Sequence, residues 1–320
     1  MIMNQVRRQS DTYYGKGTTP SKPRQSKYFP NTFSQTKANK FSKKQLQDYF
    51  RDGFTREPLT LFDNGQDLQN VYKEIMDYFP KDVDIGIYNQ QHKSSKMLWE
   101  IAHNKHLVEV MQQVYGPNII ITNVRIFTKN KSQKLVNKTK VPLHQDLTYY
   151  EHEPKKLSAV WLAITDVTLE NSPVQFLPGS HKKGEYAHKF IDPSNTTNGL
   201  YKSLDHIDYQ EQLVPVTMKA GQFTIHDGWV IHGSSAGISD RTGLQILFTT
   251  PDVKLKLEKV PYVSEMEEKC ECSLVCGVDE YGYNSKIKLP PQGEVEPIQK
   301  RNALSTQYLP LWINMRKQNE

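Results

Sequence analysis

Apolar residues recur three and four positions apart in three segments between residues 41 and 117, which is the spacing of one face of an α-helix. Ser42 followed by Gln45 forms a capping box, and this pair predicts the start of the first helix. The apolar positions of the three predicted helices are Leu46, Tyr49 and Phe50; Leu68, Val71, Tyr72, Ile75 and Phe79; and Leu107, Val110, Met111 and Val114.

From residue 118 onward the pattern changes to short, β-branched segments separated by turn residues. The segments predicted as strands are Ile119–Phe127, Ser158–Asp166, Val174–Leu177, Leu213–Met218, Gln222–His226 and Thr242–Thr250. Many short strands without alternating helices predict a mainly β domain, an antiparallel sandwich or barrel with the helices packed outside it. The polar stretch 184–212 interrupts the strands, and a loop of this length is typical of a functional lid.

The composition favours a globular protein without a membrane span. Of the 320 residues, 37% are hydrophobic and 24% are charged, which is compatible with a packed core. No stretch approaches the roughly 20 apolar residues of a membrane helix, and the first residues lack the apolar core of a secretory signal. We expect a cytoplasmic protein with a small-molecule substrate and no nucleic-acid partner. Mitochondrial import is the alternative location, and the oligomeric state is left open.

The net charge of +6 arises at the N-terminus, where residues 1–40 contain eight Lys or Arg and one acidic residue. A segment so polar cannot bury enough apolar surface to become ordered, and we expect a disordered tail. The alternatives for this segment are a contact with an acidic partner or a membrane surface, and a transit peptide. We expect one folded domain over 41–255, with helices to 117 and strands after it. Residues 256–320 would form an extension partly packed on this domain.

The clearest candidate chemistry lies in the segment VPLHQDLTYY, residues 141–150. Residues i and i+2 of a strand point to the same side, so His144 and Asp146 are predicted to project together while Gln145 faces away. One imidazole and one carboxylate are two of the three ligands in the 2-His-1-carboxylate triad that binds non-haem Fe(II).

A second segment, GQFTIHDGWVIHGSS at residues 221–235, supplies two candidates for the third ligand, His226 and His232. Arg241 follows nine residues after His232. Its planar guanidinium could bind a carboxylate of a dicarboxylate co-substrate such as 2-oxoglutarate through two hydrogen bonds.

The chain resembles the phytanoyl-CoA dioxygenase family of Fe(II)/2-oxoglutarate-dependent oxygenases over about residues 41–251. The resemblance rests on FSKKQLQDYFRDGF, VPLHQDLTYY, SAVWLAITDVTLENSPVQFLPGSHKKG, and GQFTIHDGWVIHGSS followed by Arg241. It implies a double-stranded β-helix, the cupin-like jelly roll, with iron bound by His144, Asp146 and His232. It further implies that Arg241 binds the distal carboxylate of 2-oxoglutarate, and that His226 lies near the metal or at a strand end.

The resemblance also suggests roles for neighbouring side chains. Lys129 matches a lysine of the family that can contact 2-oxoglutarate, although the loop after it is longer than usual, and a solvated charge run is the alternative. Trp161 is expected in the core or beside the co-substrate. Gln145, Tyr149 and Tyr150 adjoin the metal strand and are predicted to line the substrate pocket, with core packing as the alternative.

The implied activity is hydroxylation of a small organic substrate, such as an acyl-CoA, an amino acid or a secondary metabolite, with release of CO2 and succinate. Desaturation or ring formation are alternative outcomes. Asp146 argues against a halogenase, in which a small residue replaces the carboxylate ligand. The alternative from another class is a non-catalytic jelly-roll protein that binds a metabolite or a partner.

The three cysteines of the chain, Cys270, Cys272 and Cys276, are clustered. Structural zinc normally takes four ligands, and no further Cys or His lies nearby. We therefore expect reduced thiols, which suits a reducing compartment.

Overall fold

The computed structural model describes residues 40–77, 90–129, 140–191, 200, 202–204, 212–237, 239–256, 271–287 and 290–291. The helices are α1 (Lys43–Asp52), α2 (Gly65–Met76), α3 (Lys96–Ala102) and α4 (Lys105–Tyr115). The strands are β1 (Leu59–Thr60), β2 (Ile119–Lys129), β3 (Val141–His144), β4 (Ser158–Ala163), β5 (Gln175–Phe176), β6 (His188–Phe190), β7 (Lys202–Leu204), β8 (Val214–Pro215), β9 (Gln222–Asp227), β10 (His232–Ser234), β11 (Arg241–Thr249), β12 (Glu271–Cys276) and β13 (Ser285–Lys286).

Two sheets form the sandwich. One has the order β1-β9-β4-β11-β2-β12-β13, and the other has the order β3-β10-β5-β8. From β2 to β5 and from β8 to β11, consecutive strands alternate between the two sheets, and every pair within them is antiparallel except β12 with β13. The predicted mainly β jelly roll with flanking helices is confirmed.

The large sheet is buried on both faces because the helices cover its outer side. On β11, Leu244, Ile246 and Phe248 belong to the main apolar cluster, which the helices complete. Gly243 and Gln245 lie on the opposite, inner face, where they approach Trp161 and Asp146. The alternation of side chains along a strand therefore divides β11 between the core and the interior of the barrel.

Helix α1 begins and ends as its sequence predicts. The Ser42 hydroxyl accepts the Gln45 N–H, the Gln45 side chain accepts the Ser42 N–H, and Gly53 closes the helix at φ 85°. Helix α4 agrees with the third predicted helix, and α2 ends at Met76, with Phe79 outside the described residues.

One helix and three strands differ from the prediction. Helix α3 has only seven residues, too few for its apolar period to stand out. Within the polar stretch 184–212, β6 and β7 pair as a separate ribbon. Strand β12 pairs with β2 and widens the large sheet beyond the predicted strands.

Several predictions concern residues that lie outside the described ranges. These are the tail over 1–39 and the segments around Cys270. Of the other two cysteines, Cys272 is buried and Cys276 is half-buried, and both are reduced. None of the helices in the described ranges is both long and apolar enough to cross a bilayer.

One buried hydroxyl joins two helices to the large sheet. The Ser158 Oγ at the start of β4 lies 2.7 Å from the Tyr49 hydroxyl of α1 and 2.7 Å from the Tyr115 hydroxyl of α4. Burial raises the pKa of both phenols, so both remain neutral. Ser158 can donate to one phenol and accept from the other, so each of the three hydroxyls has a hydrogen-bond partner.

We expect Ser158→Ala to lower the free energy of unfolding by about 2 kcal/mol, because two buried hydroxyls lose a partner. Tyr115→Phe is the matched control, since it removes one bond and leaves the Tyr49–Ser158 bond intact. Urea denaturation followed by circular dichroism measures both. Equal stability of Ser158→Ala and the wild type would contradict the role of this contact.

Candidate metal centre

Strand pairing brings two histidines from distant parts of the sequence together. His144 is the last residue of β3, His232 is the first residue of β10, and the two lie directly opposite each other in the small sheet. Their ring centroids are 4.3 Å apart. Asp146 follows in a short 3-10 turn, and its Oδ1 lies 3.6 Å from His144 Nε2 and 3.8 Å from His232 Nε2.

The i, i+2 spacing predicts Asp146 on the same strand as His144, but Asp146 lies just beyond the end of that strand. Strand β3 ends at His144, and the turn begins at Asp146. The intervening Gln145 still has extended backbone angles, φ −121° and ψ 130°, so the alternation of side chains continues for one more residue. His144 and Asp146 therefore project together, as predicted, and Gln145 projects away.

The donor set fits a divalent metal. His144 Nδ1 lies 2.8 Å from the Pro142 carbonyl and His232 Nδ1 lies 3.0 Å from the Val230 carbonyl. Each Nδ1 must therefore carry the hydrogen, which leaves the Nε2 lone pairs directed at the carboxylate of Asp146. Metal-binding histidines characteristically donate their other N–H to such a carbonyl. The three ligand atoms lie within 4.8 Å of one another and all three residues are buried.

The electrostatics keep these groups in the state that binds a metal. Burial opposes the ionisation of Asp146, but the imidazoles of His232, His144 and His226 outweigh it and hold the pKa of Asp146 well below its usual range. Burial, and then the neighbouring His144, lower the pKa of His232. An ionised carboxylate and a neutral imidazole are therefore present at neutral pH, as metal ligation requires.

The structure distinguishes His226 from His232 by the oxygen of Asp146 that each one faces. His232 faces Asp146 Oδ1 together with His144, whereas His226 on β9 places its Nε2 3.2 Å from Asp146 Oδ2. Gln245 on β11 also donates to Oδ2, at 3.3 Å. Gln245 cannot be recognised from the sequence as part of the site, because a single glutamine on a buried strand has no distinctive pattern.

A pair of buried basic side chains lies at one end of β11. Arg241 is paired directly with Lys129 of β2, and their exposed fractions are 4% and 1%. Arg241 donates to the Ser172 carbonyl at 2.6 Å, and Lys129 donates to the Ser235 carbonyl at 2.7 Å. Within the described ranges, no carboxylate forms an ion pair with either residue.

Two basic side chains in one buried site without a carboxylate partner are disfavoured in their charged forms. Burial lowers the pKa of Arg241 to about 10, and burial together with Arg241 lowers the pKa of Lys129 to about 6. An anion bound between them would restore the balance, because buried charges require partners. The arrangement can therefore bind a carboxylate.

Trp161 lies against Arg241 of this pair and belongs to an apolar cluster, and its place beside a co-substrate stays a prediction. Its ring centre is 5.4 Å from the Arg241 guanidinium carbon and 5.6 Å from the Phe127 ring. A Cβ on Gly243 would come within 2.3 Å of the indole, so the glycine makes room for it. Among the described residues, the buried Trp161 Nε1–H and the buried Ser234 hydroxyl have no hydrogen-bond partner.

Ser234 is not among the predicted site residues, although its position in the sequence could have indicated it. It belongs to the His-Gly-Ser unit that contains His232, and it precedes Ser235, whose carbonyl accepts a hydrogen bond from Lys129.

The three predicted substrate residues have different surroundings. The Gln145 amide donates to the carbonyls of Gly184 at 2.8 Å and Trp229 at 2.6 Å, and it accepts from the Tyr186 N–H at 2.8 Å. These bonds tie the polar stretch to the metal strand, and a direct contact of Gln145 with substrate stays a prediction.

The Tyr149 ring lies edge-on to His144 at 5.9 Å, and its hydroxyl donates to the Lys202 carbonyl of β7. Tyr150 packs against an apolar cluster around Leu147. Tyr149 is therefore the candidate substrate residue that contacts a metal ligand.

A jelly roll with a buried His–Asp–His group defines the class of 2-His-1-carboxylate metal proteins. A family model described as phytanoyl-CoA dioxygenase (PhyH) matches residues 59–242, more than half of the chain. The chain belongs to this family, whose members are oxidoreductases, and the resemblance seen in the sequence is confirmed.

Two relatives illustrate the similarity. The chain is 27% identical over 164 residues to phytanoyl-CoA dioxygenase domain-containing protein 1 homolog of Dictyostelium discoideum, over 50% of this chain and 57% of the relative. It is 26% identical over 169 residues to the peroxisomal phytanoyl-CoA dioxygenase of Mus musculus, over 52% and 49%. The chain thus matches about half the length of these curated relatives.

Solved structures share the fold. An apo form of the non-heme monooxygenase ThoJ matches with a TM-score of 0.61 and 18% identity, over 86% of this chain and 100% of that chain. CytC3 with Fe(II) and alpha-ketoglutarate matches with a TM-score of 0.58 and 18% identity, over 80% and 97%.

We expect His144→Ala, Asp146→Ala and His232→Ala each to lose Fe(II) binding by more than the roughly 10–100-fold that the loss of an outer partner costs. A facial site that lacks one ligand loses a donor atom, and its remaining two ligands no longer define the coordination geometry. Anaerobic equilibrium dialysis measures the affinity, with His226→Ala for comparison. Full loss in His226→Ala with retention in His232→Ala would show that His226 is the ligand.

Proposed function

We propose that the protein is an Fe(II)- and 2-oxoglutarate-dependent dioxygenase that hydroxylates a small organic substrate and releases CO2 and succinate. The observation that carries this proposal is that one barrel interior contains both the buried His–Asp–His group and the uncompensated Lys129–Arg241 pair. Gln245 and Arg241 lie four residues apart on the inner face of β11, roughly 13 Å along the strand. Their long side chains shorten this gap, so a short dicarboxylate could extend from the metal to the cations.

The residues of the chain have separate tasks in this reaction. His144, Asp146 and His232 would hold Fe(II), which when bound supplies the activation of O2 and the oxidation of a C–H bond. Arg241 keeps one N–H on the Ser172 carbonyl and offers its remaining N–H groups to the distal carboxylate. Trp161 covers the guanidinium and excludes water from this contact.

The proposed substrate class is an acyl-CoA, an amino acid or a secondary metabolite, handled in the cytoplasm. Tyr149, Tyr150 and the loop that Gln145 holds would border its pocket. Desaturation or ring formation by the same residues is the alternative outcome, since these reactions use the same ligands.

The proposal is tested by adding 2-oxoglutarate to the Fe(II)-loaded protein without oxygen. We expect a weak visible charge-transfer band, followed by succinate release when oxygen is admitted with a panel of substrates. Absence of both the band and succinate release would favour a non-catalytic jelly-roll binder.

We expect Arg241→Lys to raise the apparent KM for 2-oxoglutarate by roughly 10–100-fold, because lysine keeps the charge but loses the two-pronged hydrogen bond. The substrate KM should change much less. Arg51→Lys on the surface is the matched control, and succinate formation is the measurement. An unchanged KM for 2-oxoglutarate would remove Arg241 from the co-substrate site.

We expect the binding of 2-oxoglutarate to take up a proton at pH 7.5. With a pKa of about 6, Lys129 is mostly neutral in the free protein at this pH, and the bound dianion raises that pKa. Affinity should therefore fall as the pH rises above 6. Calorimetry of the Mn(II)-loaded protein in buffers of different ionisation enthalpy counts the protons. In Lys129→Met the uptake should vanish; an unchanged uptake in this variant would contradict the assignment.

A further inference from the structure

The two oxygens of Asp146 have different partners. Oδ1 faces the metal-binding nitrogens of His144 and His232, at 3.6 and 3.8 Å. Oδ2 faces away from them and lies 3.2 Å from His226 Nε2 and 3.3 Å from Gln245 Nε2. We propose that His226 and Gln245 are positioning residues that restrict Asp146 to one-oxygen coordination of the metal, which rests on the function proposed above.

The fold delivers the two donors from different strands. His226 on β9 and Gln245 on β11 belong to the strands on either side of β4, opposite Ala159 and Trp161 respectively. Asp146 instead follows β3 of the other sheet. The contact at Oδ2 therefore spans the sandwich and depends on the packing of the two sheets.

The chemistry of the donors defines what they do. The Gln245 amide nitrogen can only donate, and a carboxylate can only accept, so this contact has one direction. His226 is held between the rings of Phe176 at 5.1 Å and His232 at 4.6 Å, which limits its rotation. With its N–H on Nε2, His226 supplies a second donor to the same oxygen. Hydrogen bonds to an ionised carboxylate are stronger than those between neutral groups.

The consequence concerns the coordination positions that the co-substrate needs. A carboxylate with a free second oxygen can chelate a metal through both oxygens, and it would then occupy a position that the keto acid or O2 must take. Because Oδ2 is engaged by His226 and Gln245, only Oδ1 is offered to the metal. The two residues thereby favour 2-oxoglutarate binding without contacting 2-oxoglutarate.

The test uses the full chain loaded with Mn(II), with His226→Phe and Gln245→Met as variants that remove a donor at similar volume. Water-proton relaxation counts the water molecules on the metal, and titrations give the affinities for Mn(II) and for 2-oxoglutarate. We expect one fewer bound water and a roughly 10–100-fold weaker affinity for 2-oxoglutarate in each variant, with a smaller change in Mn(II) affinity. His226→Gln retains a donor and should restore the wild-type water count.

Controls separate this role from simple stability. His103→Phe, which replaces the imidazole stacked on Trp99 of α3 with a phenyl ring, should change neither the water count nor either affinity. An unchanged water count and unchanged 2-oxoglutarate affinity in Gln245→Met would overturn the proposal, even if His226→Phe failed to fold. Loss of Mn(II) binding in His226→Phe, with the wild-type water count in Gln245→Met, would make His226 a ligand and also overturn it. If the wild type bound Mn(II) but not 2-oxoglutarate, the proposed function would fail while the water counts still tested the role of the two donors.

Discussion

The buried charge of Asp146 is the constraint on which the arrangement of this protein depends. A carboxylate inside a sandwich is costly unless hydrogen bonds and opposite partial charges surround it. Here both sheets contribute. The small sheet places the metal-binding nitrogens of His144 and His232 beside one oxygen, where a bound cation would balance the charge, and the large sheet supplies hydrogen bonds from His226 and Gln245 to the other oxygen. The metal site is therefore a property of how the two sheets face each other.

Strand β11 connects this negative end of the barrel with a positive one. Its inner face carries Gln245 beside Asp146, then Gly243 beneath Trp161, then Arg241 paired with Lys129. The interior is thus polarised along one strand, with a carboxylate that attracts a metal at one end and cations without a carboxylate partner in the described ranges at the other. A ligand that binds both a metal and a cation pair suits this interior, and a short keto dicarboxylate has that chemistry.

The outer elements keep the inner face in register. The helices bury the outer side of β11, and Ser158 joins α1 and α4 to β4, the strand next to it. On the other side of the site, Gln145 uses its amide to hold the polar stretch against the metal strand. Because Gln145 lies between two metal ligands in sequence, a movement of that stretch would be transmitted directly to the site.

The sequence by itself determined the features that depend on the spacing of residues within a short segment. The capping box at Ser42 located α1, the alternation around Gln145 put His144 and Asp146 on one side, and the His-Gly-Ser unit indicated the other ligand segment. Short elements such as α3 and β12 were not predicted, because a few residues contain too little periodic signal. Only the tertiary structure decided which oxygen of Asp146 each histidine faces and which residues share the barrel interior. These contacts depend on the register of strand pairs far apart in the chain, and packing between the sheets sets that register.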